Sequence, residues 1–80
     1  AGVACGLPYA DAQRLAAATV EGAARMVQQS TEHPAQLRNR VCSPGGSTIA
    51  GVLSMENRGF RAAVSEGVCA SFERTKELGK

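Results

Sequence analysis

The run Ala12-Gln13-Arg14-Leu15-Ala16-Ala17-Ala18-Thr19-Val20-Glu21-Gly22-Ala23-Ala24-Arg25-Met26-Val27 decides the fold class. In it Ala12, Leu15, Ala16, Thr19, Val20, Ala23, Met26 and Val27 fall at i, i+3, i+4, i+7, i+8, i+11, i+14 and i+15. That is the apolar stripe of an amphipathic α-helix. Arg14, Glu21, Arg25 and Gln28 lie off the stripe, and Glu21 precedes Arg25 by four residues, the favourable order for an ion pair. Upstream, Pro8 opens this helix and Asp11 sits near its positive end. The pattern fades near Gln29. Ala1–Gly6 reads as the tail of a helix whose beginning is missing, with Gly6 as its stop.

Working downstream, Ser30–His33 is a connector, and Pro34 suits the first position of a short helix through Arg40. Leu37 and Val41 are the apolar anchors expected for it. His33, immediately before Pro34, suits a turn or a cap. No residue at useful spacing makes it a catalytic base.

Val41-Cys42-Ser43-Pro44-Gly45-Gly46-Ser47-Thr48-Ile49-Ala50-Gly51 follows. Pro44 fixes φ near −65° and pushes Ser43 toward extended backbone. Gly45 and Gly46 allow angles and close approaches that a Cβ forbids. Ile49, Val52 and Leu53 recur at i, i+3 and i+4, so a helix begins near Gly46 or Ser47 and runs to about Asn57. Two readings of this junction stand side by side. In one it is an ordinary cap, with Ser47 or Thr48 satisfying its own helix. In the other, unpartnered N–H groups at the positive helix end seat a small anion such as a carboxylate.

Gly59 suits a left-handed stop, and a last helix runs from Gly59 or Phe60 to Leu78. Phe60, Val64, Val68 and Phe72 step by four beside Ala63, Gly67 and Ser71, a row of bulky residues next to small ones. The pattern fits plain core and a subunit interface equally. No segment alternates as a strand would, and nothing repeats. The chain is all-α.

Composition narrows the function classes. Of the 44% hydrophobic residues, 14 are Ala and 3 are Cys, which leaves a thin core for a free-standing domain of 80 residues. An obligate partner is expected, whether further chain or a second copy, and Gly22, Gly51 and Gly67 suit helices that approach closely. The net charge of +2 is scattered, with no basic block and 4% aromatic residues, so nucleic acid has no electrostatic footprint. No run is long and apolar enough for a membrane span, and the start is not a signal peptide. Cys5, Cys42 and Cys69 lack CxxC spacing; free thiols in a reducing cytoplasm are expected, because His33 is a poor fourth ligand for zinc.

The catalytic inventory is short. There is no GxGxxG, GxxxxGK or HExxH, and no pair of carboxylates stands apart from ordinary helix-surface charge. Cys42 borders the glycine turn but has no histidine base placed to activate it. Backbone donors and the hydroxyls of Ser43, Ser47 and Thr48 remain. Such a set binds and orients a small acid but performs no redox or hydrolytic step alone.

The run from Val41 through Glu56 closely resembles the signature of pyrroline-5-carboxylate reductases. Gly6-Leu7-Pro8, Gly22-Ala23-Ala24-Arg25-Met26, His33-Pro34-Ala35-Gln36-Leu37, Gly59-Phe60-Arg61 and Arg74-Thr75-Lys76-Glu77-Leu78 resemble that family as well. Cys42 stands where the family more often has Thr or Ser, and Ser47 where Thr or Ala is common. The resemblance implies an enzyme that reduces 1-pyrroline-5-carboxylate to L-proline with NADPH or NADH. It implies that residues 1–80 are part of the C-terminal dimerisation and substrate-binding domain, whose helices interlock across a two-fold axis. The Rossmann domain that holds the cofactor would lie before Ala1 and is absent from this chain. The implied assembly is a homodimer that can assemble further into a decamer, a pentamer of dimers. The implied substrate loop comprises Ser43, Gly45, Gly46, Ser47 and Thr48. Amides near Ser47 and Thr48 would hold the carboxylate, and the Thr48 hydroxyl would meet the carboxylate or the ring nitrogen. The fragment alone is expected to be inactive. A helical oligomerisation module without catalysis is the alternative.

Overall fold

A computed structural model describes residues 1–79. Four helices follow in order: α1 (Tyr9–Gln29), α2 (Pro34–Arg40), α3 (Ser47–Asn57) and α4 (Phe60–Leu78). Among the described residues there is no strand, as the helical periodicity requires. The chain divides into two units, Ala1–Arg40 and Val41–Lys80.

In the first unit, residues before α1 form a turn that ends as a Schellman motif. Gly6 N–H donates to the Val3 carbonyl (3.0 Å) and Leu7 N–H to the Gly2 carbonyl (3.0 Å). Gly6 takes φ +108°, a conformation in which a Cβ would be strained. The stop expected at Gly6 is therefore present, but the residues it closes, read as the tail of a helix, form a turn and not a helix. Pro8 is the N-cap of α1 rather than its first helical residue, with φ −58° and ψ 150°. Along α1 the expected i,i+4 pair forms between Arg25 and Glu21 (3.3 Å), and the Thr19 hydroxyl donates to the Leu15 carbonyl (2.7 Å). Such exposed pairs contribute well under about 1 kcal/mol each.

The connector Ser30–His33 is held locally. Ser30 Oγ accepts from Glu32 N–H at 3.0 Å. His33 caps α2: its Nδ1 accepts from Ala35 N–H at 3.0 Å. Gln36 Oε1 accepts in return from His33 N–H at 3.2 Å. The two bonds make a variant of the capping box, with an imidazole as the N-cap group and Ala35, not Gln36, as the amide it holds. Arg40 pairs with Glu32, which ties the end of α2 back to the connector. Leu37 anchors α2 as expected and is 8% exposed. Val41 does not: α2 ends at Arg40, and Val41 is 56% exposed.

In the second unit, α3 and α4 meet at a corner made of Arg58 and Gly59. Arg58 N–H closes α3 onto the Ser54 and Met55 carbonyls, and Gly59 N–H onto that of Glu56 (3.1 Å). Gly59 has φ +73° and ψ 34°, the left-handed cap expected there, and its carbonyl accepts from Ala63 N–H at 2.9 Å to start α4. Arg61 reaches back to Glu56 at 2.7 Å across the corner. Phe60, Val64, Val68 and Phe72 are all exposed, so within this chain that row is not core.

Candidate functional site

The segment from Ser43 to Thr48 is built by local constraints. Gly46 N–H donates to the Ser43 carbonyl at 3.1 Å, which closes a four-residue turn. Proline occupies its second position, and Gly45 its third with φ +69°. That is the type II pattern, in which only glycine takes the third position without strain. Gly46 leaves the turn in extended backbone, φ −80° and ψ 177°, and serves as the N-cap of α3. A Cβ built on it would overlap the Ser43 hydroxyl. Two glycines in sequence thus meet two different demands, a positive φ and a lack of room.

The consequence for α3 is an open N-terminus. Gly46 has no side chain, and no side-chain cap bond is made there. The ordinary-cap reading expected Ser47 or Thr48 to satisfy the helix, but both lie inside it, past the capping position. The first backbone bond of the helix is Ala50 N–H to the Gly46 carbonyl, at 3.3 Å. The N–H groups of Ser47, Thr48 and Ile49 precede that bond and belong to the unpartnered first turn. No acidic residue lies in this turn, so the positive end of the macrodipole is uncompensated by the helix itself. Ser43, Ser47 and Thr48 are exposed and Gly46 is half-buried, so both amides and hydroxyls are accessible. The arrangement offers donors to an acceptor-rich anion.

Other candidates fall away from this segment. Cys42, half-buried, is a free thiol, as are Cys5 and Cys69. The His33 imidazole is engaged in capping α2. Among the described residues no three His, Cys, Asp or Glu side chains gather as metal ligands would. Among the described residues no helix is long and apolar enough to cross a membrane. A nicotinamide dinucleotide finds no fit in these residues. The glycine-rich turn opens from a loop rather than a strand and leads into one short helix, not into the strand–turn–helix crevice that seats a pyrophosphate.

Comparison with known proteins agrees with the resemblance drawn from the residues. The family model for pyrroline-5-carboxylate reductase dimerisation matches residues 1–78. A pyrroline-5-carboxylate reductase of Synechocystis sp. is 53% identical over 99% of this chain, which covers 30% of that relative. The Escherichia coli enzyme of the same name is 46% identical over 100% of the chain and 30% of its own length. Among solved structures, Plasmodium falciparum pyrroline carboxylate reductase with NADP bound superposes with a TM-score of 0.91 at 34% identity. That match covers 99% of this chain and 30% of the other. The chain thus spans about 30% of the length of the relatives it matches. Sequence signature, four-helix order and open α3 end converge on one assignment: this chain belongs to the pyrroline-5-carboxylate reductase family, as its dimerisation domain.

Proposed function

We propose that residues 1–80 serve a reductase that converts 1-pyrroline-5-carboxylate to L-proline, the last step of proline biosynthesis, and that the Ser43–Thr48 segment grips the substrate carboxylate. The observation that carries this reading is the uncapped first turn of α3 behind a Pro-Gly-Gly turn. Its amides would bind the carboxylate, with Ser47 and Thr48 nearest, while Gly45 and Gly46 let the backbone come close. The Thr48 hydroxyl would meet the carboxylate or the ring nitrogen, and Ser43 would shape the turn. Hydride would come from NADPH or NADH held outside these residues. What this segment contributes is orientation, which fixes the imine carbon relative to an incoming donor. The working unit would be a homodimer in the cytoplasm, and pentamers of such dimers extend the same reading. Nucleic acid and membrane have no part in it.

In the full-length enzyme, Thr48→Ala should raise KM for 1-pyrroline-5-carboxylate about tenfold, as loss of a hydrogen bond to a charged group does. The KM for the dinucleotide should stay unchanged. Wild-type kinetics for both substrates would remove Thr48 from the site.

The sparse burial within the chain favours a second reading, a purely associative helical module in which the open α3 end is incidental. Titrating proline into the full-length protein separates the two. Thermal stabilisation with shifted Ser47 and Thr48 amide resonances belongs to a live site; a silent titration belongs to the module.

A further inference from the structure

We propose that His33 makes the N-terminus of α2 sensitive to pH. The imidazole accepts from Ala35 N–H through Nδ1 at 3.0 Å, which requires a neutral ring with its proton on Nε2. A protonated ring has donors on both nitrogens and cannot accept that bond. It would also place positive charge at the positive end of the helix. Histidine is the side chain type whose charge ordinarily changes between pH 5 and 8, and uptake of one proton on Nδ1 removes the acceptor on which this cap rests. Serine, threonine, aspartate and asparagine, the usual capping residues, carry no such transition there.

Little in the first unit offsets the effect. Pro34 has no N–H, so Ala35 provides the first amide of the helix and the imidazole is its partner. The neighbouring carboxylate, Glu32, is bound by Arg40 and is not free to neutralise an imidazolium. Arg38, the other charged residue of α2 beside Arg40, donates to Asn39. The last turn of α1, Met26–Gln29, carries no charged residue. The reciprocal bond from His33 N–H to Gln36 is unaffected by the ring, so protonation opens one half of the box. The α2 helix has seven residues and a single buried side chain, Leu37. Losing half a cap is therefore a large perturbation for it.

The test is amide hydrogen exchange at Ala35 in the full-length protein between pH 8 and pH 5, corrected for intrinsic exchange. Wild-type protection should fall about fivefold, the equilibrium equivalent of one N-cap. His33→Asn, which caps without titrating, should stay level across the range, and His33→Ala should be low throughout. Wild-type protection that runs parallel to His33→Asn at every pH overturns the proposal. Ring 15N shifts of the unmodified protein test the cap without any substitution. Protonation on Nε2 at pH 8 supports the cap, and protonation on Nδ1 refutes it.

Discussion

A Cβ built on Gly46 would overlap the Ser43 hydroxyl and lie 3.3 Å from the Ser43 carbonyl oxygen. Alanine at an N-cap is also markedly worse than glycine. Gly46→Ala should therefore cost about 1–2 kcal/mol, read as a lower urea midpoint of the assembled protein. Adding Ser43→Ala removes the overlapping oxygen and leaves the Ser43 carbonyl oxygen at 3.3 Å, a tight contact, and the Ser43 Cβ at 3.6 Å. The double variant should regain part of the loss; no recovery would mean the clash is not what selects glycine. At this scale the sequence is legible wherever a constraint is covalent and local. Pro44 and Gly45 announce the turn, and the positive φ sits at Gly45. The identity of the cap is less legible, because it turns on one residue of helix boundary: Ser47 and Thr48 look like caps until the helix is seen to start at Ser47. Val41 fails for a different reason: α2 ends at Arg40 as read, and the residue after it is left 56% exposed.

The α3–α4 corner depends on one backbone conformation. Gly59, at φ +73°, both ends α3 through its N–H and begins α4 through its carbonyl. No heavy atom lies within contact of a Cβ there, so any penalty for a side chain comes from the backbone. Gly59→Ala should cost about 1–2 kcal/mol, and Gly59→Asn distinctly less, because asparagine tolerates the left-handed region. Thermal melts followed by circular dichroism check the order, and equal effects of the two would contradict it. The existence and order of all four helices can be read from apolar spacing, proline and glycine alone. The capping box of α2 is half legible. His33 before Pro34 signals a cap, but the bond from Ala35 N–H needs an imidazole in the place usually held by Ser or Thr, and the Gln36 side chain closes on the His33 backbone N–H.

Across the whole chain, apolar side chains and solvent are badly matched for a monomer. Leu37 is the one buried hydrophobe among the described residues, while Phe60, Val64, Val68 and Phe72 of α4 are 51–65% exposed. Gly22, Gly51 and Gly67 sit inside helices, where glycine costs about 1 kcal/mol against alanine, yet among the described residues nothing beyond their own helix lies within 4 Å of a Cβ built there. Local packing gives no reason for them. Close approach by helices of another copy would give one under the homodimer proposed above, in keeping with a family model for dimerisation. Stability should then be a property of the assembly, so the melting temperature should climb with protein concentration. Val68→Asp tests the face directly. It puts a charge in the middle of the α4 row and removes a side chain worth about 1.5–3 kcal/mol when buried, before the cost of the charge is added. Analytical ultracentrifugation should find the variant dissociated or unfolded at micromolar concentration. Glu66→Ala, two residues away and off the row, should sediment as wild type. A Val68→Asp dimer with unchanged melting temperature would mean that the copies meet through some other face, with the α4 row left in water.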